Sequence, residues 1–255
     1  MIDLHAHVLT GIDDGPKTVS DTLAVMRQAA SDGTHQLVAV AHANDGHFAV
    51  SRGDYDRAFA DAVREIQMAE IDVQLIPGME VRLGPKMAEG YRQGDFLAIG
   101  DTKYFCVELP PNDFPAYTLD ALYELSLEGL RLLIIHPERN RGIRKRAELA
   151  ERLIRMEALG VASGGSILGQ FGPEAEASAW QLIEMGFIQA VATDGHSVSK
   201  RPLRLSAYEP VLSRRYGESV AMSMLRTTPA LVLQGAPVEL VPHPRVGWRR
   251  WFGSR

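Results

Sequence analysis

The chain has 255 residues, 45% of them hydrophobic and 23% charged, a mixture ordinary for a soluble globular protein. Lys and Arg number 27 against 32 Asp and Glu, a formal charge of −5, which argues against a dedicated nucleic-acid binder because affinity for the phosphate backbone comes mainly from cations. The single cysteine, Cys106, rules out an internal disulfide and a Cys-rich zinc site, so any metal must be held mainly by His, Asp and Glu.

The chain begins Met1-Ile2-Asp3-Leu4-His5, with no basic stretch, apolar run or small-residue cleavage site, so no signal peptide is expected. No window of about 18 apolar residues exists to span a membrane, and a cytoplasmic location is the expectation. Short apolar runs predict strands at Met1–His5, Gln36–Ala41, Asp72–Pro77, Lys103–Val107, Arg131–Ile135, Gly160–Ala162 and Phe187–Ala192. The sixth is weak, since Gly164 and Gly165 follow at once.

Between these runs, apolar residues recur at helical spacing. Thr18 and Asp21 form a capping-box variant before Leu23, Met26 and Ala30, with Gly33 as a stop. Tyr55, Phe59, Val63 and Ile66 predict the next helix, and Leu119, Leu122 and Leu125 another. Leu149, Leu153 and Met156 precede Gly160, and Glu176, Ala177, Trp180 and Ile183 complete the set more loosely. Strands alternating with helices predict a parallel α/β fold: a distorted barrel of seven strands, in one domain over residues 1–240 with a tail at 241–255.

The polar residues favour a barrel over an open sheet. Each predicted strand ends in an acid, a histidine or a polar turn: His5 and His7, His42, Glu80, Glu108, His136, then Asp194 and His196, with Asp14 in the first loop. In α/β barrels the C-terminal strand ends share one face, where catalytic residues from several strands meet. Residues i and i+2 of a strand point to the same side, so His5 and His7 can reach one metal, and Asp194 and His196 repeat that spacing. Burying that many unpaired ionisable groups would be costly, whereas imidazole with carboxylate suits zinc, iron or manganese. His35 and His243 read as structural, and His47 reads as lining the site or as loop surface.

With these residues assembled, the chain resembles the PHP (polymerase and histidinol phosphatase) family and, more narrowly, the CpsB/CapC-type bacterial protein-tyrosine phosphatases. The strings that carry the resemblance are Ile2-Asp3-Leu4-His5-Ala6-His7, Gly11-Ile12-Asp13-Asp14-Gly15-Pro16, Gly78-Met79-Glu80, His136-Pro137-Glu138-Arg139, Asp194-Gly195-His196 through Arg201, and the loop Ser166–Gly172. Val40-Ala41-His42-Ala43 departs from it, since relatives commonly have Pro before the His.

The resemblance implies up to three divalent ions, often manganese, with iron or zinc as alternatives. His5, His7, Glu80 and Asp194 would hold the first, Glu80, Glu108 and His136 the second, and Asp14, His42 and His196 the third. Arg139 and Arg201 would clamp a phosphate. It further implies metal-assisted hydrolysis of a phosphotyrosine protein, with a membrane-associated tyrosine autokinase as partner in capsule or exopolysaccharide control. A small-molecule phosphatase such as a histidinol-phosphate phosphatase is the competing activity. A non-catalytic metal-binding scaffold is the alternative of another class, and an amidohydrolase a weaker one. Arg139 also has a plain reading as part of the solvated basic run with Arg141, Arg144, Lys145 and Arg146.

A cysteine-based phosphatase needs Cys-x5-Arg, but six residues after Cys106 stands Asn112, and Cys106 falls inside a predicted strand. In the tail, Arg245, Trp248, Arg249, Arg250, Trp251, Phe252 and Arg255 stand without an acid, a composition suited to an anionic membrane surface or to a packing tail.

Overall fold

In the computed structural model, residues 1–48 and 50–244 are described, so the basic and aromatic residues from Arg245 onward lie outside the described residues. The strands are β1 (Ile2–Ala6), β2 (Gln36–Ala39), β3 (His42–Ala43), β4 (Gln74–Pro77), β5 (Glu80–Arg82), β6 (Tyr104–Glu108), β7 (Arg131–Ile135), β8 (Leu159–Ser163) and β9 (Ile188–Ala192). The helices are α1 (Val19–Ser31), α2 (Arg52–Met68), α3 (Met87–Gln93), α4 (Thr118–Leu127), α5 (Arg141–Lys145), α6 (Glu148–Arg155), α7 (Gly164–Ile167), α8 (Pro173–Glu184), α9 (Glu209–Tyr216), α10 (Glu218–Met222) and α11 (Thr228–Leu233). All strand pairings within the sheets are parallel, as expected when helices separate successive strands.

The ladder is not one closed ring. Three strands pair in the order β1-β2-β4, and six pair in the order β3-β5-β6-β7-β8-β9. The end of β9 returns to β1 through a short bridge between Ala6 and Gly195, with the His7 N–H donating to Gly195 O at 2.8 Å. Two of the seven predicted runs are each followed by a further short strand that lies beyond the predicted bounds, β3 after β2 and β5 after β4. The Tyr55 hydroxyl of α2 fills this interruption, donating to Ala39 O at 2.6 Å and accepting from the Gly78 N–H at 2.9 Å. A side chain thus takes up backbone groups that a continuous ladder would have paired. Gly78 is required there, because a Cβ on it would lie 2.9 Å from Val38 Cγ1.

Apart from the edge strand β4, whose Gln74 is exposed and whose other residues are half-buried, the strands are largely buried on both faces, which is why their sequences read as apolar runs. Alternate residues form an inner core of Leu4, Val38, Cys106, Leu133, Val161 and Ala190, while Leu37, Phe105, Val107, Leu132 and Ile134 face the helices. Cys106 is fully buried, and that burial pushes its thiol pKa far up, so it is neither accessible nor ionised.

Local signals act where the sequence places them. Thr18 caps α1 reciprocally with Asp21, and Ser51 caps α2 in the same way with Asp54. The weak sixth run is β8, and α7 starts immediately after it. Among the described residues, no helix is long and apolar enough to cross a membrane.

Candidate metal centre

Because the strands run parallel, their C-terminal ends share one side of the molecule, and the candidate ligands collect there. β1 delivers His5 and, one residue past its end, His7; β6 ends in Glu108, while His42 and Glu80, paired in register, open the short strands β3 and β5 that follow the ends of β2 and β4. His136 follows β7 directly, and Asp194 and His196 follow β9. His136 (φ +36°) and Asp194 (φ +51°) adopt left-handed backbone conformations that non-glycine residues rarely take. Local strain of this kind, set at the ends of two strands, is often found at functional sites.

Glu80, fully buried, is the centre of the cluster. His5 Nε2 lies 3.0 Å and His7 Nε2 3.1 Å from Glu80 Oε2, while His136 Nε2 lies 3.0 Å from Glu80 Oε1. His42 Nδ1, buried and without a hydrogen bond, is 3.4 Å from Glu80 Oε2 and 3.8 Å from Glu108 Oε2. Burial alone would raise the Glu80 carboxyl, but the surrounding imidazoles hold it well below the usual carboxylate range. Glu108 is shifted the other way by burial and by the charge of Glu80, and Arg82 Nε lies 2.7 Å from its Oε2.

Beside this group, Asp14 Oδ1 lies 3.4 Å from His42 Nε2 and 3.2 Å from His196 Nε2. Burial would raise Asp14, yet hydrogen bonds with His196 and His42 hold it far down. Three sets of ligand atoms each converge within the reach of one ion: His5, His7 and Glu80; His42, Glu80 and Glu108; and His7, Asp14, His42 and His196. The donor set fits divalent cations that accept imidazole and carboxylate together. His5 Nε2 and His7 Nε2 stand only 3.1 Å apart, and a cation gives two such nitrogens a common acceptor.

Neighbouring aspartates in the first loop do different work. Asp14 is 44% exposed at its side chain, whereas Asp13 is buried and its Oδ2 lies 2.7 Å from His7 Nδ1. Burial works against a charged His7, but Asp13 and Glu80 outweigh it and raise the imidazole pKa. A carboxylate on the far nitrogen fixes the ring so that Nε2 faces the centre. The sequence singled out Asp14 and missed this role for Asp13; the only signal was the doubled Asp before Gly15, whose N–H donates to Asp13 Oδ1 at 2.9 Å. Replacing Asp13 with Ala should weaken divalent-metal binding roughly 10- to 100-fold. Competition against a chelator of known affinity measures this, and unchanged affinity would remove Asp13 from the site.

The arginines converge. Arg139 Nη1 lies 2.9 Å from Asp194 Oδ2, and Arg201 Nη2 pairs with the same oxygen. Both guanidinium groups lie over the Phe171 ring, at 4.5 Å for Arg139 and 5.7 Å for Arg201. Gly165 makes room for that ring, since a Cβ there would be 2.6 Å from Phe171 Cε2. Burial opposes ionisation of Asp194, but Arg201 and the other nearby cations keep it ionised far into acid.

Arg201 is positioned from a distance by Gln28 of α1. Gln28 Nε2 donates to Val198 O at 3.1 Å and its Oε1 accepts from the Leu203 N–H at 2.9 Å, gripping both sides of the turn that carries Arg201. The Gln28→Ala variant leaves a buried N–H unpaired, expected to cost about 2 kcal/mol. Thermal denaturation should show a Tm lowered by about 4–8 °C. The same variant should raise KM through the loosened arginine; a lowered Tm with unchanged KM would leave Gln28 a purely structural role.

Other polar residues remain apart. His35 is exposed, 3.7 Å from Asp72, and His47 is exposed on its loop. His243 is buried against Gln189 at 2.9 Å.

The family model for capsular polysaccharide synthesis, CpsB/CapC, matches residues 1–234. The chain belongs to the CpsB/CapC family. The tyrosine-protein phosphatase YwqE of Bacillus subtilis (strain 168) is 30% identical over 253 residues, covering 99% of each chain. A solved structure from the pair YwqE of Bacillus subtilis and CpsB of Streptococcus pneumoniae, described as metal-dependent tyrosine phosphatases, matches at a TM-score of 0.89 and 29% identity. That match covers 96% of this chain and 99% of the other. A lactonase from Listeria monocytogenes matches at a TM-score of 0.60 with 13% identity, covering 91% of this chain and 94% of its own, a likeness of fold alone.

Proposed function

We propose that this CpsB/CapC protein is a metal-dependent protein-tyrosine phosphatase with manganese as its resident ion. It acts in the cytoplasm on phosphotyrosine proteins, foremost a membrane-associated tyrosine autokinase, in the control of capsule and exopolysaccharide synthesis. Its catalytic unit is residues 1–240, arranged as a distorted barrel with the site at the strand ends. The observation that carries the reading is the convergence of Arg139 and Arg201 on one carboxylate oxygen beside three sets of metal-ligating atoms. The names of the relatives support the tyrosine-phosphatase part of it, and the solved pair the metal dependence.

His5, His7, Glu80 and Asp194 would hold one ion, Glu80, Glu108 and His136 a second, and Asp14, His42 and His196 a third. Bound divalent ions supply Lewis-acid polarisation of a phosphoryl oxygen and an activated water. Asp194 gathers the Arg139 and Arg201 guanidinium groups at one edge of the site, and their planar forks would bind phosphate oxygens two at a time. The Phe171 ring lies beneath both guanidinium groups. A tyrosyl leaving group departs as a phenolate whose conjugate acid has a pKa of about 10, so it needs little help from a general acid. A seryl or threonyl alkoxide would need far more.

Steady-state kinetics of the full chain on a phosphotyrosine peptide, a phosphoserine peptide and histidinol phosphate test the reading. Phosphotyrosine should turn over far faster than the other two. A chelator should abolish turnover and added Mn2+ restore it. Turnover of histidinol phosphate alone, or activity indifferent to chelation, would overturn the assignment.

A further inference from the structure

Five of the eight residues from Arg139 to Arg146 are cationic and none is acidic, in a chain whose net charge is −5. Arg139 belongs to the site; Arg141, Arg144 and Lys145 of α5 and Arg146 at its C-cap continue beyond it. The run is anchored rigidly. Asn140 Oδ1 accepts from the Ile143 N–H at 2.8 Å, while its Nδ2 donates to Pro110 O at 2.6 Å and Asp113 O at 2.7 Å. The Arg141 N–H donates to Pro111 O at 2.9 Å. These bonds fasten the start of α5 to the loop after β6, so the cations stand on the same rim as Glu108 and Arg139.

Gly142 and Ile143 turn inward, which leaves Arg141, Lys145 and Arg146 exposed. Arg144 is 3.6 Å from Glu174; among the described residues, Arg141, Lys145 and Arg146 enter no ion pair. Arg141, Arg144 and Lys145 border a shallow pocket of about 370 Å³ closed on its other side by Glu174, Ser178 and Gln181 of α8. A ledge on which Arg144 alone meets an acid and three exposed cations stand unpaired among the described residues, held rigid and starting two residues from a clamp arginine, has the charge pattern of a recognition surface.

We infer that this ledge binds acidic residues flanking the phosphotyrosine of a peptide substrate. The inference deepens the phosphatase reading and rests on it. An extended peptide advances roughly 3.3 Å per residue, so acids a few residues from the tyrosine run along the ledge while the phosphate stays at Arg139 and Arg201. An isolated aryl phosphate never reaches the ledge and is indifferent to it. The attraction is between solvated charges and weakens at high salt.

The test compares the full chain with a variant carrying Arg141→Glu, Lys145→Glu and Arg146→Glu, on three substrates: an aryl phosphate, a phosphotyrosine peptide with Asp and Glu flanks, and the same peptide with Asn and Gln. At low salt the variant should lose about tenfold or more in kcat/KM on the acidic peptide, and the loss should shrink as salt rises. The other two substrates should change by less than about threefold, which also shows that the variant folds. Equal losses on all three, or no loss on the acidic peptide, would overturn the inference. Fluorescence anisotropy with peptides carrying a non-hydrolysable phosphonate separates this from the catalytic reading. A chain that hydrolyses no aryl phosphate but binds the acidic peptide preferentially refutes the phosphatase reading and keeps the ledge. A chain that hydrolyses phosphotyrosine without preferring acidic flanks does the reverse. If the three changes weaken binding to phosphatidylglycerol vesicles and leave the acidic peptide unaffected, the ledge is a membrane contact and the inference falls.

Discussion

The Glu80→Gln variant should keep its fold and lose about a thousandfold in kcat on an aryl phosphate, equivalent to about 4 kcal/mol of transition-state stabilisation. Among the described residues, Glu80 is the one carboxylate within 3.4 Å of four imidazole nitrogens, from His5, His7, His42 and His136. Glutamine preserves the volume and the β5 backbone, so packing between β3 and β6 is undisturbed. It removes the negative charge shared between two of the proposed ions, and its amide turns N–H donors toward nitrogens that would bind metal. Metal content by mass spectrometry should fall together with the rate, while circular dichroism stays unchanged. A variant with full metal content and normal turnover would refute a central role for Glu80.

Arg139→Ala and Arg201→Ala should each lower kcat/KM about a hundredfold, close to 3 kcal/mol, with metal content unaffected. That separation distinguishes a phosphate clamp from a ligand. Lysine at either position should recover little, because an ammonium group lacks the planar fork that engages two oxygens at once. The two arginines share Asp194 and the Phe171 ring, so the double variant should lose less than the product of the single losses. Loss of metal in either variant, or full rescue by lysine, would count against the clamp.

Much of the site was legible in the sequence for a simple reason. Parallel strands end on one side, so a list of polar residues that terminate apolar runs is also a list of neighbours. His5, Glu80 and His136 lie far apart in the chain, yet each is found by the same rule. The rule says nothing about which side chain of a loop turns inward. Asp13 and Asp14 are adjacent and chemically identical, and only the packing around His7 and Gly15 sends one to the far side of an imidazole and the other to His42 and His196.

Composition and pattern alone determined the parallel α/β class, the absence of cysteine chemistry and the reservoir of imidazole and carboxylate at the strand ends. These follow from local periodicity, which each segment carries by itself. The tertiary structure decided that the ladder breaks where the Tyr55 hydroxyl enters it, that Gln28 holds the turn carrying Arg201, and that Phe171 lies beneath both arginines. Each of these joins residues far apart in the chain through a pair of hydrogen bonds or ring contacts. Such a contact leaves no periodic trace in the sequence and exists only once the helices have packed against the sheet.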